Sequence, residues 1–290
     1  MQVEWFGCAT FRVRVGGRTL WFDTFVDRVP AAEPVGISAD EIDDADFVFV
    51  SHAHFDHLLG ADTVAKSTGA PIVGSYESIR IMRDNAVTPE QLWPVSGGET
   101  VDCGSDVRVR VFPSLHSCLF AATDLDAGAP CLGDLGVDYQ DRRARVAAVW
   151  EGLRGVVTPE YAHAIDHRSS AHDGGQLNYL LETPAGSVFV AASSGYWSGI
   201  LRDLHPDVAV LAVAGRPNLD GEPFQGSMAD FLVGEVATLK PETVVFCHHD
   251  AWMPPLPAID IGPVTRALGE HTPGARILDL AYGDPVRVRA

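Results

Sequence analysis

Ser51-His52-Ala53-His54-Phe55-Asp56-His57 places four metal-competent side chains within six positions, directly behind the apolar run Asp46-Phe47-Val48-Phe49-Val50. A short run of this kind forms a buried strand, so the histidines begin where the strand ends. Side chains two apart on an extended backbone share a face, which lets His52 and His54 converge on one ion. Asp56 and His57 then fall in a turn leading into a helix expected from Leu58 to Lys66, within reach of a second ion. A lone histidine is ordinary core or surface. Three with an aspartate, in a chain of 11 histidines, make poor packing material, because imidazoles are polar and repel one another when protonated. Imidazole is the commonest ligand for zinc-like ions, so the stretch predicts a metal centre.

The pattern His-x-His-x-Asp-His behind an apolar strand resembles the signature of the metallo-β-lactamase superfamily of metallohydrolases. The resemblance runs from about Val3 to the C-terminus, apart from a segment in the middle. It implies an α/β fold: a four-layer αββα sandwich of two facing mixed sheets flanked by helices. It implies a first metal site at His52, His54 and His116, the last carried by Pro113-Ser114-Leu115-His116-Ser117, which is similar to the family's third-histidine segment. The implied second site is Asp56, His57 and His248, with His249 competing for the last place. Asp23, after the third strand, and Asp250 would orient ligating histidines from behind. Relatives usually carry a bridging aspartate at the place that falls here on Ala192 or Ser193. A water, a hydroxide or another carboxylate such as Asp173 would then have to bridge.

The implied chemistry is hydrolysis. A metal-bound hydroxide, with Asp56 orienting the water or relaying its proton, would attack a small-molecule ester, lactone, amide or phosphodiester. The iron-containing oxygen reductases of the superfamily usually carry glutamate where His54 stands. Imidazole there favours zinc, as one or two ions, with manganese or iron as alternatives. The missing carboxylate also admits a metal-binding but catalytically weak relative that serves as a binding or accessory protein.

Outward from the motif, Val3–Phe6, Thr10–Val15 and Thr19–Phe22 read as an antiparallel opening with a Gly16-Gly17 turn. Residues 27–45 read as a surface excursion rimming the pocket. Val107-Arg108-Val109-Arg110-Val111 alternates as a half-buried strand. Residues 118–172 read as an insertion suited to a lid, with Val146, Val149, Trp150 and Leu153 on one face of a helix spanning about Asp141 to Leu153. His163, His167 and His172 follow as pocket-lining candidates. Leu177–Glu182 and Ser187–Ala191 form a hairpin, and Asp207–Val213 a parallel-type strand. In the loop 215–223, Arg216 is the candidate for holding a substrate carboxylate or phosphate. Tyr196 and His249 are further substrate-binding candidates, Tyr196 forming with Trp197 and Trp252 an apolar wall. Met228–Leu239 and Ile261–Leu268 are helices, and Ala275–Leu280 with Pro285–Val288 reads as a closing hairpin-like pair.

At 290 residues and 46% hydrophobic content, the chain can bury one substantial core, and without linker or repeat a single domain over 1–290 is expected. A net charge of -18, from 21 basic against 39 acidic residues, disfavours nucleic acid and anionic membranes as partners. No leader pattern and no apolar run of about 18 residues occurs, so the expected setting is soluble and cytoplasmic, with a small-molecule substrate. Five cysteines without paired spacing fit reduced thiols. Cys118 and Cys247, beside proposed ligands, read as small buried hydrophobes.

Overall fold

The computed structural model describes residues 1–119 and 138–288. Alternating sequence sets the sheets. In the strand Val107–Pro113 the valines at 107, 109 and 111 are buried while Arg108 faces water. This strand pairs antiparallel with Thr100–Gly104 on one side and Leu177–Thr183 on the other. Gly186–Ala191, Val208–Ala212, Thr243–Cys247 and Arg276–Leu278 extend the same seven-stranded sheet, running parallel to one another. The central strands Val208–Ala212 and Thr243–Cys247 are buried at every position, as strands covered on both faces are. The second seven-stranded sheet runs in the order Val286–Arg287, Gln2–Trp5, Phe11–Val15, Arg18–Phe22, Phe47–Phe49, Ile72–Gly74 and Leu92–Pro94.

Phe22, Phe49, Val109, Tyr179, Val190 and Val210 meet in one apolar cluster between the two sheets. Tyr179 in this layer donates its hydroxyl to the Val50 carbonyl across the sandwich at 2.7 Å. On the outer face of the sheet containing Phe47–Phe49, Trp21, Val48 and Ile72 pack against the helices Ala61–Thr68 and Tyr76–Asp84. On the outer face of the other, Phe189 and Leu211 pack against Met228–Leu239 and Gly262–His271. Helix, sheet, sheet, helix is the four-layer α/β sandwich that the motif implies. Truncating a fully buried ring such as Phe49 or Phe189 to alanine costs about 3–5 kcal/mol.

Three local expectations are corrected. The helix after the motif is two pieces: a turn Phe55–Leu58, then Ala61–Thr68 after a break at Gly60, whose φ of +97° only glycine adopts without strain. Residues 27–45 do not rim the site. Val35, Ala39 and Ile42 are buried in the outer core with helix Ala61–Thr68. The final two strands are no hairpin: Arg276–Leu278 joins one sheet beside Thr243–Cys247, and Val286–Arg287 joins the other beside Gln2–Trp5. Short apolar segments carry a face but no partner, so proximity in sequence is a poor guide to which sheet each completes.

Within the expected insertion, residues 120–137 lie outside the described residues. The rest is two helices. Tyr139–Arg154 is started by Asp138, which accepts from the Asp141 N–H at 2.8 Å, and Pro159–Arg168 is started by Thr158. Trp150 and Ile165 bury themselves with Phe25, Phe55 and Met253, and the Arg168 guanidinium pairs with Asp62. Among the described residues, no helix is long and apolar enough to cross a membrane.

Candidate metal centre

The strand Phe47–Phe49 delivers His52 and His54, Val107–Pro113 delivers His116, and Thr243–Cys247 delivers His248. One donor atom from each of His52, His54 and His116 lies within 4.8 Å of the others, and the three ring centroids are 4.6 to 4.8 Å apart. A second group, Asp56, His57, His248 and Cys8, meets the same 4.8 Å limit. His248 Nε2 is 3.1 Å and His57 Nε2 3.4 Å from the same Asp56 oxygen.

Hydrogen bonds on the far side of the rings decide which nitrogens face inward. Ser51 Oγ donates to Asp23 at 2.8 Å, which leaves it to accept from His52 Nδ1 at 3.0 Å. His57 Nδ1 donates to Asp23 Oδ2 at 2.7 Å. His116 Nδ1 donates to the Ser117 carbonyl at 2.8 Å. In each ring this turns Nε2 inward, the arrangement that orients imidazoles on an ion; His52 and His116 present it with its lone pair, while His57 would release its Nε2 proton on binding an ion. Burial, and then the neighbouring imidazoles, push His52 and His54 well below the usual histidine range, and burial lowers His116. Neutral imidazole is the ligating form. Burial would raise Asp56, but the charges of His57 and His248 hold it well below the carboxylate range. Burial would likewise lower His57, yet the two carboxylates Asp56 and Asp23 push it up to about 10. Three imidazoles in one group, and two with a carboxylate and a thiol in the other, fit divalent ions of the zinc kind.

Two cavities flank this centre, sharing His54 and His116. One of about 410 Å³ is polar, with Arg142, Arg143, His172, Asp173 and Gln176 in its wall. The other, about 400 Å³, is lined by Phe55, Val149, Trp150, Leu153, Trp252 and Ile259.

Residues 18–132 match the model of the beta-lactamase superfamily domain. A metal-dependent hydrolase from Pyrobaculum arsenaticum is 35% identical over 119 residues, 40% of this chain and 51% of that protein. The chain thus spans about half the length of the curated relatives it matches. Over the whole chain the likeness is one of shape. Igni18, a metallo hydrolase from Ignicoccus hospitalis, superposes with a TM-score of 0.62 at 16% identity, covering 98% of this chain and 97% of that one. The metallo-β-lactamase fold protein YhfI from Bacillus subtilis does so at 0.57 and 11%, covering 98% of each. The fold of this chain is thus the metallo-β-lactamase fold.

In this metallo-β-lactamase sandwich no carboxylate stands at Ala192 or Ser193. Ala192 is core, and Ser193 Oγ accepts from the Ser117 N–H at 3.1 Å, bracing the loop that carries His116. Asp173 reaches the polar cavity but belongs to neither donor group. Its carboxylate accepts from the Gly175 N–H, and its carbonyl accepts from the Ala53 N–H between the two histidines.

Several residues singled out from sequence sit elsewhere. Asp250 orients no histidine: it accepts from the Cys8 N–H at 2.9 Å, from Arg28 at 2.6 Å and from the Tyr282 hydroxyl at 2.8 Å. His249 stacks on Trp5 with centroids 5.0 Å apart and lines neither cavity. Tyr196 is buried against Phe231 behind the sheet. Arg216 is half-buried and outside both cavity walls, its carbonyl accepting from the Cys118 N–H. His163 and His167 stack on each other on the helix Pro159–Arg168, and only His172 of that trio reaches a cavity. Trp197 is exposed, while Trp252 lines the apolar cavity. Cys8 was legible only as part of the Gly7-Cys8-Ala9-Thr10 start, which resembles the family's pattern, with no ligand role attached to it, because a single cysteine in a turn has no spacing partner. Trp150, 5.5 Å from His54, was legible only as part of an apolar helix face.

Proposed function

We propose that this protein is a metal-dependent hydrolase of a small molecule, holding one ion between His52, His54 and His116 and a second beside Asp56, His57 and His248. The observation that carries the reading is the inward-facing Nε2 atoms of His52, His57 and His116, each fixed by a bond to its other ring nitrogen. A divalent metal held by these residues would supply Lewis acidity, which lowers the pKa of a bound water to about 7. Asp56, ionised and beside both His57 and His248, would help to hold the second ion and would orient a water at the centre or relay its proton. Trp150 and Phe55, 5.7 Å apart, keep bulk water from one side of the centre. Arg142 and Arg143 line the polar cavity with Asp173, the one carboxylate among its described lining residues, and hold the polar or anionic part of the substrate. The apolar cavity takes the rest. Ester, lactone, amide and phosphodiester bonds all suit such a centre.

Imidazole and thiol donors favour zinc over the harder manganese, with iron as the further alternative. The -18 charge supports a reading without nucleic-acid or membrane partners. Cys8, Cys103 and Cys247 are free thiols, which supports a reducing, cytoplasmic setting. The test is elemental analysis followed by assay against substrates of the four bond classes. Bound metal, with turnover abolished by a chelator and restored by zinc, is expected. A protein that retains and takes up no metal overturns the metal centre; one that loads fully yet cleaves no member of any class overturns the hydrolase.

A further inference from the structure

We propose that Cys8 is the fourth protein ligand of the second metal position, through its thiolate. The inference rests on the metal centre proposed above and adds a donor to it. Cys8 Sγ lies 4.0 Å from Asp56 Oδ2, within the donor group that includes His57 and His248. Sulfur, carboxylate oxygen and two imidazole nitrogens would supply a four-donor set of the kind zinc and cobalt take.

The backbone of Cys8 argues that this placement is built. Its φ is +46°, in the left-handed region that a residue with a Cβ avoids. Of the eight non-glycine residues with positive φ among the described residues, three are Cys8, Asp23 and His248, all at this centre. Such a conformation costs on the order of 1–3 kcal/mol and persists only where the surroundings over-determine it. Here they do. The Cys8 N–H is held by Asp250, and its carbonyl accepts from both the His248 N–H at 2.8 Å and Trp5 Nε1 at 3.0 Å.

The other thiols near the centre lack these features. Cys247 ends a regular strand inside the apolar core, and Cys103 lies in another. Cys118 follows His116 but falls in neither donor group. A thiol placed merely to fill space needs neither a strained backbone nor a carboxylate facing its sulfur.

On binding, the S–H bond gives its proton to solvent and the freed electron pair forms the sulfur–metal bond, with no change of oxidation state. The thiolate makes this position softer than an all-oxygen and nitrogen one, so zinc and cobalt are held in preference to manganese.

The test uses the full chain, stripped of metal and reloaded with cobalt(II) or zinc. A sulfur-to-cobalt charge-transfer band in the near ultraviolet is expected, with one sulfur at about 2.3 Å from zinc by X-ray absorption. Cys8→Ser should abolish both signals and weaken the second ion at least tenfold, while Cys118→Ser and Cys247→Ser keep them. Cys8→Asp, which restores a charged donor, should hold two ions without the sulfur signature and so separates ligation from folding. Full loading with only nitrogen and oxygen scatterers overturns the proposal, as does a band that survives in Cys8→Ser. A protein that takes up no ion fails at the elemental analysis, which marks that outcome as the loss of the metal centre itself.

Discussion

The carbonyl of Cys8 accepts a hydrogen bond from the backbone N–H of His248 at 2.8 Å, tying the first loop of the chain to the last ligand-bearing strand end. Both residues have positive φ, +46° and +63°. Each loop is therefore held in a conformation it would not adopt alone, and the bond between them is part of what holds it. Asp250 completes the strap, joining the Cys8 N–H to Arg28 and Tyr282.

The strap makes a prediction about the Arg28–Asp250 pair, whose side chains are only 2% and 8% exposed. Removing one partner of a buried ion pair leaves the other charge uncompensated, at about 3–5 kcal/mol. Arg28→Met should therefore shift the urea midpoint strongly without changing the slope of the transition. The double variant Arg28→Met with Asp250→Leu should lose less than Arg28→Met alone, because no charge is stranded. Equal or greater loss in the double variant would mean that the pair acts through Cys8 geometry and not through charge.

Asp23 makes a second, narrower prediction. It accepts from the Ser51 N–H, from Ser51 Oγ and from His57 Nδ1, all at 2.7 to 2.8 Å. Asp23→Asn keeps the shape but loses the charge that fixes the His57 ring. Partners of this kind are worth about 10- to 100-fold in metal affinity. Chelator competition should show the ion beside His57 weakened by that factor and the ion at His52, His54 and His116 weakened less. Equal weakening of both would place the effect in Ser51, which contacts both rings.

Local spacing made half of this centre legible. His52, His54, Asp56 and His57 are close in sequence, so their meeting follows from strand and turn geometry alone. His116 and His248 lie far along the chain and were reachable only because the order of elements resembles a known family. Cys8 stood in a start, Gly7-Cys8-Ala9-Thr10, that resembles the family's pattern, but neither spacing nor that resemblance marks one thiol as a ligand. Tyr196 shows the opposite failure: an aromatic at a strand exit serves a pocket wall or a core equally well by sequence, and only the packing against Phe231 decides. The closing strands fail for a related reason, each pairing with a partner in a different sheet.

Gly60 supplies a third prediction. At φ +97° it separates the turn carrying Asp56 and His57 from the helix Ala61–Thr68, and a Cβ there would stand 2.5 Å from the Thr24 carbonyl. Thr24 follows Asp23 and donates its N–H to the His57 carbonyl at 3.1 Å. Gly60→Ala must move that segment, so it should cost well over the roughly 1 kcal/mol of an unstrained glycine replacement and weaken the ion beside His57. Gly69→Ala is the matched control: φ is +81° but nothing lies within 4 Å, so it should show the backbone cost alone. Equal destabilisation by the two, read from denaturant midpoints, would discount the Thr24 contact.

Glu235 supplies the fourth, away from the metal centre. It lies on the inner face of the helix Met228–Leu239 among Phe231, Leu232 and Val236, and burial pushes its carboxyl up to about 8. Between the ordinary glutamate value and about 8, the folded protein keeps a proton that the unfolded chain releases. The native state then binds more protons, so stability falls as pH rises, on the order of 1.4 kcal/mol per unit for this one group. The loss is complete once the buried carboxyl ionises. Glu235→Gln keeps the shape and cannot ionise, so its stability curve should lack this descending component. The variant should match the parent near about pH 4 and exceed it by on the order of a few kcal/mol near about pH 8. Parallel urea-unfolding curves across that range, taken at one fixed metal content, would show that Glu235 ionises in the folded state as readily as in the unfolded one.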